Sequence, residues 1–515
     1  MEKIKKVTKF DVLLQKFSPL TPQGKSAKNN LTLINDKELL RHIYDETEAA
    51  VKFSNENEAA VDKIKWHLKR IPKIPSFDSK VFSAVDIFLF KKFLINTKAV
   101  CRSYNFGFNL SDLLEFLDRD NMGEETFYLS SKYDNKLKSI RDEISNVDVL
   151  INESKKRTLE LAKEKYGLDF DGHDFLLMPS EFASKVNQNE LNIESYDGHK
   201  IILKPVFSKD YFELLGKRSA KIKQEREIEN KVLKTITSHI KQEEKKILQL
   251  EKDVTSLDLA LARAFLVKEL KLTRPEIGEI RSYQIKGGRL LSVEDYCAEQ
   301  KLKYWALDLE TDKQNIMLYG SNMCGKTVVL HTIAFLQLTA QFGFFVPAKV
   351  FKAPLFDKIA LVTDYDDGQE GLSAFGREIV ALNEAVSDKN LRTLILFDEF
   401  ARTTNSTDAV SLLNGLLEYL IHNANFNALL STHYDSIARH SEVDFFRMKG
   451  IKWQDLERAE IDDKENRINL IQKYIEYVPE KDKSSGFSGE ALKIAEILGA
   501  DMSLINYAKK GLGNG

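Results

Sequence analysis

Gly320-Ser321-Asn322-Met323-Cys324-Gly325-Lys326-Thr327 is the stretch on which the reading of this 515-residue chain turns. It fits G-x-x-x-x-G-K-[ST], and its flanks have the right character. Ile316 to Tyr319 reads as a buried strand feeding in, and Val328 to Ala340 as a helix leading out. Glycines at these positions let successive backbone N–H groups turn toward phosphates at a helix N-terminus, a lysine meets the β and γ oxygens, and a hydroxyl beside it holds Mg²⁺. ATP and Mg²⁺ are therefore the expected ligands. Gly320 through Thr327 would form the cradle, with Lys326 as a catalytic cation and Thr327 as a metal ligand. A chance match in a glycine-containing turn is the bland alternative, and the residues downstream weigh against it.

The first of these is Leu391 to Glu399, an apolar run ending in two carboxylates. Such a run is what a parallel strand buried on both faces looks like, and ligands bind beyond the carboxyl ends of such strands. Asp398 is expected to hold Mg²⁺ through water, and Glu399 to polarise an attacking water. Ala428 to Tyr434 reads as a second buried strand, closed by His433. A lone histidine is more often structural than catalytic, but at the end of a strand in such a domain it can sense the γ-phosphate.

Taken together, GSNMCGKT, QFGFFVPA (Gln341 to Ala348), LSAFGREI (Leu372 to Ile379), FDEFARTTN (Phe397 to Asn405) and STHY (Ser431 to Tyr434) resemble the ordered motifs of the MutS family of DNA mismatch repair ATPases. The resemblance implies a multidomain protein: a mostly α-helical core and lever region, then an α/β P-loop ATPase domain of the ABC type, then a carboxy-terminal helix-turn-helix. It implies two nucleotide sites completed across a dimer of the chain with itself or with a MutS-like paralogue. Ser373 would reach the partner's nucleotide in trans, and Asn322 would be the P-loop asparagine. Two departures stand out. Cys324 replaces a glycine, and Phe400-Ala401-Arg402-Thr403-Thr404 replaces a more glycine-rich turn.

Composition bounds the remainder. With 43% hydrophobic and 30% charged residues and a net charge of −2, the chain has an ordinary globular make-up and no global attraction to nucleic acid or membrane. Any basic surface must be local. Cys101, Cys297 and Cys324 lack metal-ligand spacing and point to a reducing compartment. No signal-peptide pattern occurs, so a cytoplasmic protein that spans no membrane is expected.

Following the chain, residues 1–170 read as helical, broken at Ser18-Pro19-Leu20-Thr21-Pro22 and Ile71-Pro72-Lys73-Ile74-Pro75, and in the family's terms are the first part of the helical core (lever) domain. Phe17 to Lys25 resembles the start of the family's core, so the mismatch-reading and connector domains of the repair enzymes are expected to be missing. Residues 171–206 read as short strands with a hairpin at Asp197-Gly198, a reduced clamp in the family's terms. Residues 207–275 read as long lever helices, and 276–480 as the ATPase domain, in which Asp444 to Trp453 and Arg467 to Val478 are strands about a turn at Asp462 to Glu465. Residues 481–515, beginning near Ser484-Ser485-Gly486, read as an amphipathic pair of dimerisation helices.

Two functions from different classes fit. One is a MutS-like ATP-hydrolysing dimeric clamp on DNA, reading structure rather than mismatches, with Lys217, Arg218, Lys221 and Lys223 of the lever supplying phosphate contacts. The bland reading of those cations is a solvated helix face. The other is an ATP-driven remodeller of a protein client, such as a reactivating factor for an adenosylcobalamin-dependent lysine or ornithine aminomutase. The resemblance includes such proteins.

Overall fold

A computed structural model describes residues 1–119, 129–171, 173–278, 282–321, 323–363, 373–434, 436–456, 474–482, 490–497 and 499–512. Asn322, the turn Asp462 to Glu465 and Ser484 to Gly486 thus lie outside the described residues, as does Leu372. The chain divides into two compact units, Met1–Val61 with Thr255–Gly515, and Asp62–Val254. This division crosses the boundaries read from sequence: residues 1–61, assigned there to the lever, pack with the segment that carries Gly320 to Thr327. No helix among the described residues is long and apolar enough to cross a membrane.

The first unit begins with helices α1 (Glu2–Thr8), α2 (Phe10–Lys16), α3 (Pro22–Asn29) and α4 (Lys37–Glu56). Proline at the first turn of α3, with Thr21 capping Gly24 N–H, shows why Thr-Pro-x-Gly starts a helix. What holds these helices is aromatic. Phe10 meets Phe342 edge-on at 5.0 Å, Phe17 meets Phe344 at 5.0 Å, and Tyr44 meets Phe345 at 6.1 Å. The Tyr44 hydroxyl also donates to the Ala340 carbonyl at 2.7 Å. Gln-Phe-Gly-Phe-Phe is therefore the seat of the amino-terminal helices. Gly343 has φ +79, and a Cβ there would lie 3.1 Å from Ile43, so glycine suits both the backbone and the close approach.

The second unit holds α5 (Glu58–Leu68, which begins in the first unit), α6 (Ala84–Tyr104), α7 (Ser111–Leu117) and α8 (Asn135–Tyr166). It continues with β1 (Leu176–Pro179), β2 (Leu191–Ser195), β3 (Lys200–Pro205) and α9 (Lys209–Gln242). The three strands form an antiparallel sheet in the order β1-β3-β2. Its hairpin turns at Asp197, whose carboxylate accepts from the N–H groups of His199 and Lys200 at 2.8 and 2.7 Å. Leu191, Ile201 and Leu203 face a small core with Leu168, Phe170 and Ala162. Helices α8 and α9 are joined by Arg141, which reaches Glu225 and Glu229, each at 2.7 Å.

A break at Glu243 separates α9 from α10 (Glu244–Leu270) within the segment read as long helices. Then follow β4 (Glu276–Gly278), β5 (Gln284–Gly288), α11 (Leu291–Glu299), β6 (Leu307–Glu310), β7 (Asn315–Tyr319), α12 (Lys326–Gln341), β8 (Val350–Pro354) and β9 (Lys358–Val362). After them come α13 (Ala374–Ala385), β10 (Thr393–Asp398), α14 (Ser406–Ile421), β11 (Phe426–Thr432), β12 (Val443–Ile451) and β13 (Ile475–Lys481). Helices Glu490–Ile497 and Met502–Leu512 close the described chain, the second exposing Met502, Leu504 and Tyr507.

Strands β9, β10, β11, β7 and β12 are parallel neighbours in a six-stranded sheet ordered β13-β12-β7-β11-β10-β9, and only β13 is antiparallel. Strands β7 and β11 are buried at every position, and β10 at all but Asp398, because helices cover both faces. The fold is thus a mixed one, with a helical part and an α/β part. The carboxyl ends of β7, β10 and β11 come together at one edge, and the candidate site lies there.

Candidate functional site

The loop from Gly320 to Gly325 leaves β7 and enters α12. Gly325 is the N-cap at φ +93, and a Cβ there would lie 2.6 Å from the Tyr477 ring, so this turn admits no side chain. Lys326 follows, 4% exposed, and a charge so buried needs partners. Its ammonium donates to the carbonyls of Gly320 and Ser321 at 2.8 and 3.0 Å and pairs with Glu399 at 3.2 Å. Thr327 Oγ1 donates to Asp398 Oδ1 at 3.0 Å.

Register explains the next contact, which sequence reasoning missed. Asp398 of β10 stands opposite Ser431 of β11. The Ser431 hydroxyl donates to Asp398 Oδ1 and accepts from the Glu399 N–H, both at 3.0 Å. One buried serine thus orients both carboxylate residues. The signal lay in the offset between two strands, which no single stretch reveals.

The turn beyond β10 keeps a glycine-like backbone without glycine: Glu399 has φ 52 and Ala401 φ 63. A left-handed residue with a Cβ costs roughly 1 to 2 kcal/mol. It is held here by the buried Glu378 of α13, whose carboxylate accepts the Ala401 N–H at 2.9 Å, and by burial of Phe400. Arg402 reaches Glu399 at 3.5 Å.

These groups border a cavity of about 1030 Å³. Lys326, Thr327, Asp398 and Glu399 line it together with the aromatic side chains of Tyr296, Trp305 and Tyr477. Lys303 sits 3.6 Å above the Trp305 ring. His331 also lines the cavity, one helical turn beyond Thr327. Desolvation lowers its pKa below 6.5, against the opposing pull of Asp398. Its position four residues after Thr327 in a helix was the available signal.

The other predicted residues fall as follows. His433 lies just past β11 and is partly desolvated, which lowers its pKa below 6.5; Glu399 acts in the raising direction, and Lys326 and Arg402 in the lowering one. Ser373 is the N-cap of α13, its hydroxyl accepting from Gly376 N–H at 3.1 Å, and it does not border the cavity of its own chain. Cys324 is buried under the loop, and Met323 lines the cavity. The four lever cations are not equivalent. Arg218 is paired with Asp148 at 2.5 Å and Lys221 with Glu143, both across to α8, so these two are partly occupied, while Lys217 and Lys223 are exposed.

A Mg²⁺ ion suits the donor set. Thr327 and Asp398 offer a hydroxyl and a carboxylate oxygen within hydrogen-bonding distance, the hard-oxygen, low-count arrangement that lets the ion keep several waters. Among the described residues no group of three or more His, Cys, Asp or Glu could hold another metal.

A mostly parallel sheet whose carboxyl edge gathers a glycine loop with lysine and threonine, two carboxylates and an aromatic-lined cavity makes an α/β domain with a candidate ligand site at that edge. Residues 316–512 match the family model described as MutS domain V. The chain is 28% identical over 297 residues to the DNA mismatch repair protein MutS of Streptococcus gordonii, covering 58% of this chain and 33% of that protein. The MutS proteins of Brevibacillus brevis (31% over 221 residues, 42% and 25% covered) and Geobacillus kaustophilus (28% over 284 residues, 55% and 30% covered) are similar as well. Residues 316–512 thus resemble the fifth domain of MutS proteins. The chain spans about a quarter to a third of the length of these curated relatives.

Proposed function

We propose that the chain hydrolyses ATP with Mg²⁺, works as a dimer, and couples turnover to movement on DNA in the manner of a MutS-like clamp. The observation that carries the ATPase reading is the connected set Lys326–Glu399–Ser431–Asp398–Thr327, which brings a phosphate cation, a carboxylate for water and a metal-holding pair to one cavity edge. The glycine loop is read as a P-loop of the ABC type, with Lys326 on the terminal phosphates. Glu399 aligns the attacking water and accepts its proton. Bound Mg²⁺ supplies charge neutralisation, held by Thr327 and Asp398. Neutral His433 donates or accepts a hydrogen bond near the γ-phosphate. The rings of Trp305 and Tyr477 offer a face for the base.

For the dimer, the placing of Ser373 away from its own cavity supports the reading in which it meets the partner's nucleotide. The exposed Leu504 and Tyr507 support an interface at the carboxy-terminal helices, read as a helix-turn-helix. DNA as client rests on the family and on Lys217 and Lys223. A second reading, remodelling of a protein client such as an aminomutase, is favoured by one observation: Arg218 and Lys221 spend charge within the protein. The test is Mg²⁺-dependent phosphate release with and without a four-way DNA junction. Stimulation of several-fold supports the clamp, and absence of basal hydrolysis overturns the ATPase.

A further inference from the structure

The turn that carries Glu399 is tied down by a residue outside the cavity. Glu378 lies in the second turn of α13 and is 1% exposed, and its carboxylate accepts the buried Ala401 N–H at 2.9 Å. A carboxylate taken this far from water is costly unless donors satisfy it. Ala401 supplies one of them, from a turn that begins beside the Lys326 ammonium.

That turn has a shape its residues do not favour. Glu399 and Ala401, at φ 52 and 63, occupy a region that residues with a Cβ visit rarely and hold only where the surroundings enforce it. Two hydrogen bonds enforce it, one at each end. Ser431 Oγ holds the Glu399 N–H at 3.0 Å and Glu378 holds the Ala401 N–H, while Phe400 between them is buried and meets Phe397 edge-on at 5.7 Å. The direction of the Glu399 side chain follows from this backbone, and it brings the carboxylate to 3.2 Å from Lys326. Without Glu378 the buried Ala401 N–H loses this acceptor, and Ala401 gains by returning to an ordinary conformation, which turns the peptide that joins it to Phe400. Glu399, one residue further back, then swings away from its place.

We infer that Glu378 is a positioning residue for hydrolysis: by holding Ala401 left-handed it keeps the Glu399 carboxylate at the cavity edge, a brace that glycine at position 401 would make unnecessary. This rests on the reading of Glu399 as the group that aligns the attacking water. The experiment measures single-turnover phosphate release from Mg²⁺-ATP, and affinity for a non-hydrolysable analogue, on the full chain as wild type, Glu378→Gln, Glu378→Met, Ala401→Gly and the double variant Glu378→Met/Ala401→Gly. Methionine has a similar length but no carboxylate acceptor, and a misplacement of about 1 Å at a reacting group costs up to about 100-fold. Glu378→Met is therefore expected to hydrolyse about 10- to 100-fold more slowly with no loss of analogue affinity, since the Lys326 and Thr327 contacts are untouched. Glu378→Gln, which keeps an acceptor oxygen, should stay within about three-fold of wild type. Glycine takes a positive φ freely, so the double variant should recover most of the lost rate. Wild-type turnover by Glu378→Met overturns the inference, as does a parallel fall in affinity and rate, which makes Glu378 a core residue only. Where Glu378→Met does not fold, the double variant decides: recovered hydrolysis sustains the inference, and a slow or unfolded protein overturns it. If wild type itself releases no phosphate, the ATPase reading falls first and takes this one with it.

Discussion

Replacing Glu399 by glutamine removes one charge from a site where a carboxylate stands 3.2 Å from the Lys326 ammonium, and it should move binding and turnover in opposite directions. Two unit charges at that separation attract by roughly 1.3 kcal/mol at the dielectric of water and by roughly 5 kcal/mol at an effective value of 20. The ammonium keeps its bonds to the Gly320 and Ser321 carbonyls in the variant, so the lower figure applies. Freed from the pair, Lys326 is more available to phosphate, and the repulsion between Glu399 and the anionic ligand is gone. Nucleotide affinity should therefore rise about five- to ten-fold. Hydrolysis should fall by about 10² to 10⁴, the usual worth of a positioned proton acceptor. Both quantities come from the same protein: titration with a non-hydrolysable analogue, then single-turnover phosphate release. Glutamine is nearly isosteric and accepts the same left-handed backbone, so folding is not in question. Turnover within about two-fold of wild type would remove Glu399 from the chemistry. A tenfold loss of affinity would show instead that the carboxylate props the loop.

Asp398→Asn should shift the Mg²⁺ dependence of hydrolysis to concentrations about ten-fold higher or more while leaving metal-free nucleotide binding nearly intact, as read by magnesium titration at fixed ATP. Ala401→Gly relieves a left-handed Cβ at φ 63 and should stabilise the first unit by about 0.5 to 1 kcal/mol after the entropy cost of glycine, seen as a higher melting temperature; an earlier melt refutes the strain argument. His433 has a lowered pKa, so it is neutral at pH 7, and its contribution to hydrolysis persists below pH 6.5 and is lost only as the pH falls through the lowered value. Hydrolysis should decline on that acid side, and His433→Asn should lack the decline in a pH–rate profile. Reversing Lys217 and Lys223 together should weaken junction binding and flatten its salt slope by roughly 0.9 per lost phosphate contact, whereas two flat anisotropy curves would favour a protein client.

The sequence alone located the central strand, loop and helix, because a buried strand, a glycine turn and a helix are local and each has its own period. Expected spans of 316–319 and 328–340 correspond to β7 and α12. The hairpin at Asp197 was legible for the same reason, since aspartate's own side chain closes the turn. Periodicity says nothing about partners far apart in the chain, and there the tertiary structure decided. Phe10, Phe17 and Tyr44 bring residues 1–61 to the aromatic seat at 342–345, so a segment assigned to the lever packs with the α/β part. Strand register set Ser431 beside Asp398, and the packing of α8 on α9 tied up Arg218 and Lys221. A side chain's chemistry is written at its own position, but its role depends on which distant group shares its few ångströms of space. That is fixed only when the chain buries its apolar faces and the polar groups carried with them must find partners.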